Sequence, residues 1–296
     1  MQREDKQNGS AGGEPMSKKS SNQDFYQMER FNTAQLKKME NNILDYAAAI
    51  DGLPKDHSEA LTKRGWMTPF LLAYDDLLWG RWDYWGKIWE KKTIKGSGPI
   101  PQIKWADLGS PGVLQTRKML TKCLDHHESN IDTFADWLLW AMGNTKDTPN
   151  ISPTLNKHYY ENFDLFLVLN YPTDYLSQCL SEQTGKGYKG ALGYYPTPFH
   201  VVQLMSEMTL AGEESEKLKK MTVMDPCVGC GAMLLPASNY YLRGYGADIS
   251  GIAVRLCKIQ MLWYAPWYAR ANDAIQGFDA KTEPVQLSLE GLWKIA

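Results

Sequence analysis

With 296 residues and 43% apolar side chains, the chain can bury a substantial core, and that length suits two domains better than one. Its 32 basic and 34 acidic residues leave a formal charge of -2, which excludes a general attraction to polyanions and leaves any DNA contact to local surfaces. The five cysteines form no extracellular disulfide framework, and neither a charged leader with an apolar segment nor a membrane-spanning run occurs, so a cytoplasmic protein without a membrane partner is expected.

Residues 1–22 are polar, rich in Gly and Ser, and read as a flexible tail. Residues 23–184 read as a mainly helical N-terminal domain. Leu36, Met39, Ile43, Leu44 and Ala47 recur at helical spacing over 34–49, as do Ile131, Phe134 and Leu138 over 130–142. Between these, Trp79, Trp82, Trp85 and Trp89 are spaced to line one helical face. The seam of a helix packing is the favoured reading, against a protein interface or stacking on bases. His126 and His127 read as a surface pair on a helix, their rings pointing apart. A helix from Asn156 or Tyr159 toward Leu169 and another over 175–182 flank Asn170-Tyr171-Pro172-Thr173-Asp174-Tyr175, which reads as a turn between helices rather than a displaced catalytic loop. Gly185 to Gly190 form a hinge into a third region, 185–296.

There, Thr222 to Met224 suit a buried strand, Gly229 and Gly231 allow a tight turn beneath a ligand, and a helix from about Ala232 would present free amides. Asp248 ends the next short strand, 17 residues beyond Gly231, where a carboxylate can accept ribose hydroxyls. This is a frame for a nucleoside-containing cofactor. A nicotinamide dinucleotide is disfavoured because Leu234 occupies the third position of its glycine fingerprint. Zinc at Cys227 and Cys230 is disfavoured because no second ligand pair follows.

Asp225-Pro226-Cys227-Val228-Gly229-Cys230-Gly231 resembles the D-P-x-x-G-x-G loop of S-adenosylmethionine-dependent DNA adenine methyltransferases, especially the modification subunits of type I restriction systems. Gly193-Tyr194-Tyr195-Pro196-Thr197-Pro198 resembles the G-x-[YF]-x-T-P segment preceding that loop, and only 26 residues separate Pro198 from Asp225. The resemblance implies an α/β fold, an incomplete Rossmann-like methyltransferase domain after the helical domain, and S-adenosyl-L-methionine or S-adenosyl-L-homocysteine as ligand. It would place Tyr195, Thr197 and Pro198 on the methionine side, and Asp225, Pro226, Gly229 and Gly231 beneath the amino-acid moiety. Asp248 and Ile249 would meet the ribose end, and Asp273, after an expected strand over 267–271, the adenine amino group.

The family continues with an N-P-P-[YF] or D-P-P-[YF] loop that aligns the target amino group and stacks on the flipped base. No such tetrad follows Asp273 in this sequence, where Glu283-Pro284-Val285-Gln286 lacks the second proline and the aromatic ring. The expectation is a truncated methyltransferase-like protein that binds the cofactor without independent catalysis. It would act with or on a DNA modification or restriction complex, a phage-like anti-restriction role being one form of this. The alternative is an active or split DNA adenine methyltransferase with a divergent substrate loop, for which DNA, an oligomer or a split-enzyme subunit would be the partner.

Overall fold

The computed structural model describes residues 32–183, 195–210, 215–269 and 275–276. The expected tail, the glycine hinge, Asp273 and everything beyond 276 lie outside the described residues. Within them the protein is mostly helical with one two-stranded parallel sheet. The first nine helices are α1 (Thr33–Asp51), α2 (His57–Thr62), α3 (Thr68–Leu78), α4 (Arg81–Lys91), α5 (Pro111–Leu124), α6 (Ile131–Ala141), α7 (Pro153–Asn162), α8 (Leu165–Asn170) and α9 (Leu176–Gln183). Then come α10 (Phe199–Leu210), α11 (Ser215–Lys220), β1 (Thr222–Asp225), α12 (Leu234–Ala237), β2 (Arg243–Gly246), α13 (Gly251–Tyr264) and α14 (Pro266–Ala269).

Local sequence sets many helix starts. Ser110-Pro111 and Ser152-Pro153 open α5 and α7, the hydroxyl accepting an otherwise unpaired amide and the proline filling a position that needs no N–H. Asn130 opens α6 in the same way, accepting from Asp132 N and Thr133 N at 3.0 Å each.

The indole tract is not one helix. It breaks at Gly80, whose φ of 69° favours glycine, and α4 is capped from the preceding helix. The carboxylate of Asp75 accepts from Arg81 N at 2.9 Å, Trp82 N at 2.7 Å and Asp83 N at 3.3 Å. Burial pushes Asp75 up to about 7, restrained by those three N–H groups and by Arg81. The indoles nevertheless form a packing seam. Trp79 lies 5.9 Å from Tyr264, Trp85 lies 6.4 Å from Trp267, and Trp82 Nε1 donates to Leu262 O at 3.2 Å, while Trp89 remains exposed.

Three further expectations are corrected. The helix expected from about 156 to 169 is divided into α7 and α8, because Asp164 caps a new start by accepting from Phe166 N at 2.8 Å. His126 and His127 lie in the turn between α5 and α6 rather than on a helix, with their rings 4.4 Å apart. The strand expected over 267–271 is helical through Ala269, since Trp267 and Tyr268 turn into the core; Tyr268 Oη donates to Tyr241 O at 3.0 Å, and a Cβ on Gly244 would overlap its ring.

α13 is the centre of the fold. Nearly every side chain from Ile252 to Tyr264 is buried, and the helix packs against α6, α9, α12 and α14. Arg255 anchors its exposed flank to Asp132 and Asp136 of α6. One contiguous apolar cluster runs from α1 through α13 and α14, so the helical half and the strand pair share a core. Arg81, fully buried, joins them directly: its guanidinium donates to Pro101 O, Ser238 O, Ser238 Oγ, Asn239 Oδ1 and Tyr264 O, and lies 4.6 Å over the Trp267 ring. Residues 275–276 return to this half, where Gln276 N donates to Lys92 O at 2.8 Å and Ile94 N to Gln276 O at 3.1 Å. Among the described residues no helix is long and apolar enough to cross a membrane.

Candidate functional site

The site is built on the parallel pair β1 and β2, in register from Thr222 opposite Arg243 to Asp225 opposite Gly246. Their backbone bonding continues past the strands, with Ala247 N donating to Asp225 O at 3.0 Å and Val228 N to Ala247 O at 2.8 Å. That close approach requires Gly246, because a Cβ there would sit 2.7 Å from a Val228 methyl group. The loop then turns through Gly229 and Gly231, with φ of 53° and 94°. Gly231 is doubly specified: a Cβ would lie 2.8 Å from Cys257 Sγ and 2.9 Å from Met261 Cε of α13.

Two carboxylates border this loop. Asp225 Oδ1 accepts from Cys227 N at 3.0 Å. Asp248 Oδ2 accepts from Gly229 N at 2.9 Å, and its Oδ1 accepts from Ser250 N at 2.8 Å. Ser250 in turn caps α13 through Ala253 N at 3.3 Å. Partial burial, followed by the like charge of Asp248, raises the pKa of Asp225 against the Cys227 N–H, which lowers it. Each carboxylate keeps spare acceptor positions, since an ionised carboxylate offers about four.

Asp225, Gly229, Gly231 and Asp248 are therefore brought together as one unit. Pro226 is exposed at its rim, beside exposed Cys227, and Ile249 is 80% exposed next to Asp248. Tyr195, Thr197 and Pro198 are also exposed, immediately before α10, which packs on α12, the helical turn after the loop. Pro198 O receives Val201 N at 2.9 Å and so starts α10. Among the described residues no group of three His, Cys, Asp or Glu side chains could hold a metal.

One expectation changes here. The helix expected from about Ala232 is a single turn, Leu234–Ala237; in the loop ahead of it the amides of Cys227, Val228, Gly229 and Gly231 donate respectively to Asp225 Oδ1, Ala247 O, Asp248 Oδ2 and Val228 O. Those four N–H groups are thus engaged, and the two carboxylates stand beside them as oxygen acceptors.

Sequence reasoning passed over Gln260 and read Asp174 only as part of a turn. Gln260 lies in the apolar run of α13, and Asp174 begins the lead-in to α9. A single amide inside a buried helical face was the available signal. The segment around Asp174 is a packed turn: Asn170 Oδ1 accepts from Tyr74 Oη at 2.8 Å, Pro172 O accepts from Ala106 N at 2.8 Å, and Asp174 is buried.

A parallel strand pair with a glycine loop after the first strand, Asp225 ending β1 and Asp248 two residues past β2, fits an α/β class. Residues 174–276, about a third of the chain, match the family model described as N-6 DNA methylase, so this stretch is similar to the DNA adenine methyltransferases. The match begins within the Asp174 turn, ahead of the boundary placed at 185, and takes in α9, the strand pair, α13 and α14. No curated protein and no solved structure gives a significant match to the chain.

Proposed function

We propose that residues 195–276 bind S-adenosyl-L-methionine, or S-adenosyl-L-homocysteine, as part of a DNA adenine methyltransferase-like protein. The observation that carries this reading is the grip of Asp248 on Gly229 N, which seats a carboxylate with spare acceptor positions at the mouth of the parallel pair. A phosphate-bearing cofactor needs free amides, and four loop amides here are already used internally. A nucleoside sulfonium cation instead presents donors, its ribose hydroxyls and ammonium, together with positive charge. Two neighbouring carboxylates suit all three. Asp248 would accept from the ribose, Ile249 would cover the base, Asp225 would face the ammonium, and Tyr195, Thr197 and Pro198 would flank the methionine side. The bound cofactor supplies an electrophilic methyl group.

Methyl transfer also requires the nucleophile to be aligned with that group. The N-P-P-[YF] tetrad that performs this in the family does not occur in residues 274–296. Residues 195–276 would then bind the cofactor and depend on a further segment or a partner, such as a DNA modification or restriction subunit, to align the substrate. Calorimetric titration with S-adenosyl-L-methionine tests the reading. Near-stoichiometric binding, lost in Gly231→Glu and weakened at least about tenfold in Asp248→Ala, is expected, since losing a charged hydrogen-bond acceptor costs about 1.5–3 kcal/mol. Absence of binding by the folded wild-type protein refutes it. Transfer of labelled methyl groups to DNA by the 296-residue chain alone would establish the active-enzyme alternative.

A further inference from the structure

We infer that Gln260 is a positioning residue that sets the shape of the glycine loop and couples it to the start of α9. Gln260 is completely buried, and all four hydrogen-bonding positions of its amide are occupied. Nε2 donates to Cys230 O at 2.7 Å and to Asp174 Oδ1 at 2.9 Å, while Oε1 accepts from Tyr175 N at 3.1 Å and Leu176 N at 3.3 Å. One side chain of α13 thus ties the loop to the turn that launches α9.

The point of attachment is informative. Cys230 stands between Gly229 and Gly231, both at positive φ. Glycines move between φ regions at little steric cost, so the peptide groups they flank need external restraint. Asp248 restrains the first side by holding Gly229 N, and Gln260 restrains the second by holding Cys230 O. Without Gln260, the carbonyl of Cys230 would lose this buried donor. The other end of the bridge is itself fixed, because Asp174 Oδ1 also accepts from Ser177 N at 3.2 Å in the first turn of α9. A displacement of α9 is therefore transmitted to the loop through two hydrogen bonds.

The test uses the whole chain, and its two readouts, hydrogen exchange and thiol reactivity, do not depend on the cofactor reading. In Gln260→Met, which keeps length but has no donor, amide hydrogen exchange at residues 229–231 is expected to accelerate by about tenfold or more, the effect of losing about 1.4 kcal/mol of local restraint. Amides of α6 should exchange at the wild-type rate. Cys230, buried in the wild type, should gain reactivity toward a thiol alkylator relative to exposed Cys227. Asp174→Asn, which keeps the oxygen that Gln260 requires, should alter loop exchange by less than about threefold. If Gln260→Met does not fold, Gln260→Leu, which also lacks the donors and adds no ionisable group beside Asp174, serves the same comparison. Unchanged exchange and Cys230 protection in a folded variant overturn the inference, as does acceleration spread equally over α6. Local loosening together with failure of the wild type to bind S-adenosyl-L-methionine upholds the positioning role and removes the cofactor reading instead.

Discussion

Replacing Arg81 by methionine measures what joins the helical half to the strand pair. Buried charges are often exchanged for apolar residues at little cost, because burying the ion is itself expensive. Here the partners decide otherwise. Three of the five acceptors are backbone carbonyls; those of Ser238 and Tyr264 stay buried whatever residue occupies position 81, while that of Pro101 is half-buried. The other two retain partners, since Ser238 Oγ donates to Leu235 O and Asn239 Oδ1 accepts from Ile103 N. The two stranded buried carbonyls cost about 1–3 kcal/mol each, and that of Pro101 less. Burial holds Arg81 down to about 9, so releasing the charge recovers several kcal/mol of that sum. Methionine retains much of the stem's packing but not the cation over Trp267, worth about 0.5–2 kcal/mol. A net loss of about 2–3 kcal/mol is expected, read as a fall of about 1 M in the urea midpoint with an unchanged slope. A folded Arg81→Met protein within about 0.5 kcal/mol of wild type, or more stable, would refute the argument that those carbonyls depend on the guanidinium.

Gly231→Ala is expected to destabilise the protein by about 1–3 kcal/mol, from strain at positive φ and from the overlap with Cys257 and Met261, and to abolish cofactor binding in calorimetry. Gly251→Ala, where a Cβ meets nothing within 4 Å, is the matched control. Asp225→Asn tests the sign of the electrostatics. The folded-state pKa of Asp225 is raised, so its favourable contribution is present below the ordinary carboxylate pKa and lost as pH rises through the folded value. Relative to wild type, the asparagine variant should therefore gain stability between pH 4 and pH 7, by less than about 1 kcal/mol at this partly exposed position, while binding the cation more weakly. Urea midpoints at the two pH values check the first part, and a gain at pH 4 that disappears at pH 7 would reverse the sign.

Much of the site was legible because its elements are specified locally. Gly229 and Gly231 stand where the backbone needs positive φ, Asp225 ends β1, Asp248 lies two residues past β2, and Asn130 marks a helix start that no distant contact has to create. Short-range stereochemistry and capping reach only a few residues, so one stretch of sequence displays them.

What depended on distant residues was decided by the tertiary structure. Asp75 rather than a neighbour of Arg81 caps α4, Tyr268 is drawn into a helix by its place over Gly244, and the loop amides of Val228 and Gly229 bond to Ala247 and Asp248, brought in by β2. Gln260 illustrates the division most directly. In sequence it is one polar residue in an apolar helix. In the fold its partners lie 30 and 86 positions away, at Cys230 and Asp174, and burial leaves its amide no water to satisfy it. Composition and spacing determined which residues could form a cofactor loop; the shared core around α13 determined which groups hold that loop, because a buried polar group must find its partner wherever the chain brings one.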